Sequence, residues 1–198
     1  VAVNNPGQLE LAWPVPVSGG QGLNVMNQAC AAFYSALRVN RLTVSCELNQ
    51  KELREVFAAG GNYVMEAYGR TQLMLLNHCP RRTQNGDEKQ DSLCNACAGM
   101  GGCPETYTDR KGYRFPLRRL QMEHGCVLRL YNSVETDMAK YADKLAGFSV
   151  SLRLAFTDEP FERQKEITAS YRSVLDNGHA LHTPASHATT GQLLRGVQ

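Results

Sequence analysis

The chain has 198 residues, 42% of them hydrophobic and 20% charged, enough for one good-sized globular domain or two small ones. A net charge of +2 excludes the global basic field that by itself draws a protein onto nucleic acid, so such a partner has to be met by a local patch. No apolar run reaches the ~18 residues of a membrane helix, and the opening VAVNNPGQLELAWPVPV lacks the basic flank and apolar core of a signal peptide. A cytoplasmic chain with no membrane partner is therefore expected, and its thiols are expected to be reduced.

In chain order, GLNVMN (22–27) predicts a strand, QACAAFYSAL (28–37) an Ala-rich helix and RLTVSCEL (41–48) a second strand. NQKELREVFAAG (49–60) predicts a helix capped by Asn49 and stopped by Gly60 and Gly61, and NYVMEAYGR (62–70) a third strand. Strands alternating with helices at this spacing indicate βα units of a parallel sheet, an α/β class. The alternation breaks at Leu73 and resumes with a helix at 137–147, a strand at 148–156 and a long amphipathic helix at 159–178. The expected organisation is βα units over 1–72, a cysteine-rich insert of short strands and loops over 73–126, resumed βα units over 127–178, and a polar arm or mobile loop over 179–198. The tail's histidines, His179, His182 and His187, lack a regular ligand spacing.

Five of the seven cysteines fall around the insert, at Cys79, Cys94, Cys97, Cys103 and Cys126. An odd count in a reducing compartment argues against a disulfide framework and for metal binding or catalysis. The CxxC of Cys94 and Cys97 lies in CNACAGMGG, too glycine-rich to open a helix as a thioredoxin-like pair does. Four thiolates hold either structural zinc or an iron–sulfur cubane. Cys126 has no close partner of the zinc-ribbon kind, which favours the cluster. Cys30 and Cys46 sit in apolar runs and are expected in the core as small hydrophobes.

Chemistry in parallel βα architectures gathers at the C-terminal ends of the strands. Asn24 and Asn27 follow the first predicted strand, Ser45 and Glu47 the second, Glu66 and Arg70 the third, and Arg153 lies near the end of the last. Each alone reads as readily as a cap or loop hydrogen bond. Together the carboxylates and arginines suggest a pocket for an anion, because a guanidinium fork matches carboxylate or phosphate geometry. TDRKGYRFPLRR (108–119) reads as a hairpin around Lys111 and Gly112 with solvated charges. Equally, Arg110, Lys111, Arg114, Arg118 and Arg119, interleaved with Tyr113 and Phe115, form a surface able to grip a phosphate backbone and stack a base, or to offset a cluster's charge. No GxSxG or HExxH is present, and Cys46 beside Glu47 has no evident activating base.

The combination of SCELNQKEL, EAYGRTQLMLLNHCP, CNAC, TDRKGYRFPLRR, GCVLRLYNSV and the terminal RGV resembles the collagenase-like U-type peptidase family, number thirty-two in that series. The resemblance runs through nearly the whole chain. It implies a partial TIM-like (β/α) barrel with a cysteine-bearing insert, of which this chain supplies the later strands. A missing N-terminal region or a partner chain would complete that barrel, since the five or six strands countable here are too few to close one. It further implies a four-iron four-sulfur (4Fe-4S) cluster, because better-understood members are oxygen-independent hydroxylases of RNA or ubiquinone precursors.

Matched residue by residue, the resemblance assigns the cluster to Cys79, Cys94, Cys97 and Cys126. The motif that starts at Cys126 ends in Asn132, taken with Asn24, Asn27, Arg110, Lys111 and Arg114 as substrate-binding. Cys103 is an extra thiol outside the family pattern. Glu47, Glu66, Arg70 and Arg153 are the candidate catalytic residues, holding a small carboxylate-bearing donor such as prephenate while RNA serves as acceptor. The alternatives are a collagenase-like peptidase, and a non-catalytic metal-stapled binding module or fragment of a larger enzyme.

Overall fold

The computed structural model describes residues 1–11, 14–77, 79–80, 105–122, 125–141, 144 and 150–194. Two units result: Val1–Gly69 with Thr136–Gln198, and Arg70–Glu135. The sequence alternation had placed the corresponding breaks at 73 and 126.

The first unit is a mixed α/β body around a parallel sheet. Its strands are β1 (Ala2–Val3), β2 (Val17–Gly19), β3 (Val39–Thr43), β4 (Tyr63–Gly69) and, later in the chain, β10 (Ser151–Ala155). They pair in that order, all parallel. The two-residue β9 (Thr136–Asp137) adds to β4 antiparallel. Every residue of β4 except Glu66 is buried, the pattern of a strand covered on both faces.

Helices α1 (Gln28–Ala36), α2 (Gln50–Ala58) and α3 (Phe161–Asn177) start and stop where local chemistry tells them to. Asn27 caps α1 by accepting from the Cys30 amide at 2.9 Å. At α2, Asn49 Oδ1 accepts from the amides of Lys51 and Glu52 at 2.9 and 3.1 Å, while Glu52 accepts from the Asn49 amide at 2.8 Å, a complete capping box. Helix α3 ends on Gly178, whose φ of 76° suits a residue without Cβ. It buries Ile167, Ser170, Tyr171 and Val174, one stripe at i, i+3, i+4 and i+7.

Three departures from the sequence reading have local causes. The strand expected over 22–27 is a 3₁₀ turn at Gln21–Leu23, followed by Asn24 at φ 49° and a single bridge from Val25 to Val44. A left-handed residue inside a six-residue run cannot continue a strand. The helix expected from 137 is preceded by β9 and opens as a 3₁₀ turn at Ala139–Tyr141; of its remainder only residue 144 lies among the described residues. Residues 179–194, read as an arm or mobile loop, are packed into the first unit instead. His182 and Leu193 are buried, Thr189 bridges to Thr136, and the Leu193 carbonyl accepts from the Gln50 amide at 2.9 Å.

The second unit is a four-stranded antiparallel sheet, ordered β5 (Gln72–Leu76), β8 (Gly125–Tyr131), β7 (Arg114–Met122), β6 (Thr106–Thr108). The β6–β7 turn is closed by Asp109, whose carboxylate accepts from the amides of Lys111 and Tyr113 at 2.8 and 2.9 Å, with Gly112 at φ 85°. Among its described residues, Leu117 and Leu128 are buried. Among the described residues, no helix is long and apolar enough to cross a membrane.

Candidate functional site

On the first unit, the stagger of the parallel strands decides what meets. Thr43 pairs with Val64, so Glu66 in mid-β4 lies level with the segment that leaves β3, which carries Ser45, Cys46 and Glu47. Glu66 and Arg153 are paired residues of β4 and β10 and form an ion pair at 3.5 Å. Both are mid-strand residues and not strand-end residues as the sequence suggested. With about a third of each side chain exposed, 37% for Arg153 and 29% for Glu66, the pair contributes at most about 1 kcal/mol and leaves both groups open to solvent.

Cys46 is exposed rather than in the core, and Cys30 is half-buried. Crowding by protein atoms pushes the Cys46 thiol up, and the Glu66 and Glu47 carboxylates push it further. The tail passes this place: a Cβ on Gly191 would stand 3.9 Å from the Cys46 carbonyl. Asn27 spends its side chain as the α1 cap and lines an open cleft of about 430 Å³ with Gln28, Glu52 and Glu55. Asn24 supplies a carbonyl 3.7 Å from the Cys30 sulfur.

Arg70 belongs to the second unit and has partners there. It donates to the carbonyls of Asn132 at 3.2 Å and Ser133 at 2.6 Å and faces Glu135 at 3.5 Å, with 16% of its side chain exposed. This fork fastens the loop after β8; Asn132 takes part through its backbone, and its amide donates to Thr71 at 2.9 Å. Two of the four predicted cysteine ligands, Cys94 and Cys97, lie outside the described residues, as does Cys103. The other two are placed by strand pairing. Leu76 at the end of β5 is opposite Leu128 of β8, so Cys79, just past β5, and Cys126, near the start of β8, lie at the same end of the sheet, both half-buried. Among the described residues no group of three metal-ligating side chains gathers.

The basic stretch is divided by the pleat. Strands β7 and β8 pair continuously from Leu117 opposite Leu130 to Met122 opposite Gly125. Directly opposed residues share a face and alternate residues change it. Arg119, opposite Leu128, therefore lies on the face of Leu117, Leu128 and Cys126, while Arg114 and Arg118 lie on the other. Arg110 and Lys111 are exposed in the β6–β7 turn.

A closely bonded buried polar group joins three segments that the sequence pattern does not connect. Asp137 accepts from His182 Nε2 at 2.7 Å, from the Tyr171 hydroxyl at 2.8 Å and from the Ala139 amide at 3.0 Å. The two side chains of the Asp137–His182 pair are 1% and 0% exposed. Ser170 Oγ accepts from the amides of Leu181 and His182 at 2.8 and 3.1 Å. Burial pushes the Tyr171 hydroxyl far above its ordinary range, and Asp137 adds to that. Closed to solvent, this acid–histidine–tyrosine group is a latch that holds the tail to β9 and α3. Its only sequence signal is a polar residue at the right place in each of three distant segments.

No protein-family model, curated protein or solved structure matches the chain.

Proposed function

We propose that the chain is part of an iron–sulfur-dependent, oxygen-independent hydroxylase acting on RNA, of the collagenase-like peptidase family it resembles. Its parallel units are read as part of a TIM-like barrel, completed by a further region or a partner chain. The observation that carries the reading is the antiparallel pairing of β5 with β8, which brings Cys79 and Cys126, the first and last of the family-matched thiols, to one end of the sheet. Paired strands are a rigid base for such ligands, and thiolates suit a 4Fe-4S cluster, with structural zinc as the alternative metal. Cys94 and Cys97 complete the proposed donor set. When bound, the cluster supplies one-electron chemistry.

The chain's own residues supply the rest. The solvent-open Arg153 guanidinium, neutralised only weakly by Glu66, is suited to orient a small carboxylate donor such as prephenate. Arg110, Lys111 and Arg114, exposed at the β6–β7 hairpin, offer cations suited to RNA phosphates. Peptidase chemistry is the weaker reading, because a nucleophilic thiol has to be lowered or given a base, whereas the Cys46 thiol is raised.

Anaerobic purification followed by an absorption spectrum and iron, sulfide and zinc counts tests the cofactor. Comparing nucleoside masses of ribosomal and transfer RNA from deleted and parent strains tests the reaction. Iron and sulfide in the protein with a missing hydroxylated nucleoside is the expected result. Zinc alone points to the metal-stapled module, and unchanged nucleosides with metal-dependent cleavage of gelatin overturn the hydroxylase reading in favour of the peptidase.

A further inference from the structure

Helix α1, QACAAFYSA, has no charged residue and carries two apolar stripes. Ala31 and Tyr34 face the core and are buried. Ala29, Ala32, Phe33, Ala36 and the capping Leu37 are all exposed. They fall at i, i+3, i+4, i+7 and i+8, one face of the helix, turned about half a revolution from Ala31 and Tyr34. A surface helix normally keeps charged or polar residues on that face. Here Phe33 is 58% and Leu37 48% exposed, neighbours at i and i+4, so the outer face holds a patch and not a scattered apolar residue.

The two ends of this stripe differ in charge. At its N-terminal end it runs into the open cleft lined by Met26, Ala29, Glu52 and Glu55. Gln28 Nε2 donates to the Glu55 carbonyl there and ties α1 to α2. The Glu55 side chain is 62% exposed, and its ion pair to Lys51 at 4.0 Å is of the weak, solvated kind. At the C-terminal end Arg38 follows Leu37, exposed and at φ 62°, a left-handed position that glycine usually holds. A charge kept at such a position fits a side chain with a partner outside the fold.

What covers such a stripe is apolar along its length and carries a cation where the stripe ends in glutamate and an anion where it ends in arginine. The same stripe on a second copy, running antiparallel, meets both demands. With a twofold axis between Ala32 and Phe33, the partner's Phe33 meets Ala32, the partner's Ala36 meets Ala29, and the partner's Arg38 arrives at Asn27, beside Glu55. Each ring seats against a small side chain, the alanines let the helices approach closely, and both Arg38–Glu55 encounters form together because a twofold interface repeats every contact.

We propose that the outer face of α1 is a self-association surface, on which two copies of this chain pair antiparallel through Phe33 and Leu37, with Arg38 of each copy against Glu55 of the other. Nine residues of helix span about 14 Å, so the contact is smaller than the roughly 800 Å² per partner of a standard interface and the dimer is of the transient class. The charges set its register more than its affinity. Neither a metal nor RNA enters the pairing, which therefore stands apart from the function proposed above.

Sedimentation velocity of the full-length chain from about 1 to about 500 μM covers the range of a transient dimer. The parent is compared with Phe33→Glu, Arg38→Glu, Glu55→Arg, an equimolar mixture of the last two, and Phe161→Glu, which alters an exposed phenylalanine of α3 as a control. The parent is expected to move from monomer to dimer with concentration. Phe33→Glu and each charge reversal alone should weaken the dimer at least about tenfold, and Phe161→Glu should not. The mixture should return to within about threefold of the parent, because in the mixed pair every reversed charge meets its opposite. A parent that stays monomeric throughout leaves the stripe to a different chain and overturns the proposal. So does a dimer unaffected by Phe33→Glu, or a mixture no better than its components, since either puts the contact on another face or in another register. If circular dichroism shows Phe33→Glu unfolded, the mixture still decides, because Arg38 and Glu55 are exposed and their reversal leaves the core untouched.

Discussion

Replacing Asp137 by Ala removes three acceptor contacts at once. The donors affected are His182 Nε2, the Ala139 amide and the Tyr171 hydroxyl, the last of which keeps the Ala67 carbonyl at 2.7 Å. Each buried donor left without an acceptor costs about 1–3 kcal/mol, and His182 Nε2 and the Ala139 amide lose theirs together. Total stabilities are about 5–15 kcal/mol, so this one change removes a large share. Tyr171→Phe is the gentler perturbation, because the ring stays and the fallbacks already exist. The Met138 amide reaches the Ala67 carbonyl at 3.0 Å as well as the tyrosine oxygen at 2.9 Å, and Asp137 keeps its other two donors. One hydrogen bond to a charged acceptor is lost, about 1.5–3 kcal/mol. Urea unfolding followed by circular dichroism should therefore rank Asp137→Ala below Tyr171→Phe below the parent. The double variant should lose less than the sum, by at least about 0.5 kcal/mol, since both act on one contact. Hydrogen exchange locates the effect: the Leu181 and His182 amides, bound to Ser170 Oγ, should lose protection in Asp137→Ala well before β3 and β4 do. Parent-like urea midpoints with unchanged exchange at those two amides would refute the reasoning.

At Cys46, alkylation by iodoacetamide should be slower than for an ordinary exposed thiol at pH 8 and should gain speed only at higher pH. The raised thiol stays protonated there, and the thiolate is the reactive form. Glu66→Gln removes one of the charges that raise it and should shift the rate profile to lower pH, read by mass spectrometry of the Cys46 peptide; an unmoved profile counts against the charge coupling. Linkage gives the same sign, because the unfolded chain ionises this thiol first, so Cys46 contributes a loss of stability as pH rises through the ordinary thiol range. Asn49→Ala should cost about 0.5–2 kcal/mol by removing the capping oxygen of α2, with Asn49→Asp close to the parent in thermal melts.

Local chemistry sufficed for the helices of the first unit. Asn49 was legible as the cap of α2, whereas Asn27, read as a strand-end substrate residue, caps α1, and Gly178 closes α3 after the stripe from Ile167 to Val174. The strand-rich run of β4 was legible for the same reason, since a parallel strand buried on both faces is apolar nearly throughout. Two-residue β1 and three-residue β2 were not, because so short a strand has no period to detect and draws its hydrogen bonds from residues far along the chain. The candidate site divides in the same way. Glu66 and Arg153 were visible as charges, but only the register of β4 with β10 made them a pair, and only the stagger against β3 set Cys46 beside them. The pleat of β7 and β8 sorted a basic stretch onto two faces and added Arg129 to one of them, which sequence order alone does not encode. His182 is the clearest case. In the sequence it is one of three histidines in a polar tail, and it becomes a buried latch only because β9 delivers Asp137 and α3 delivers Tyr171 to the same point; a polar side chain is buried when partners converge on it, and convergence is a property of the tertiary structure.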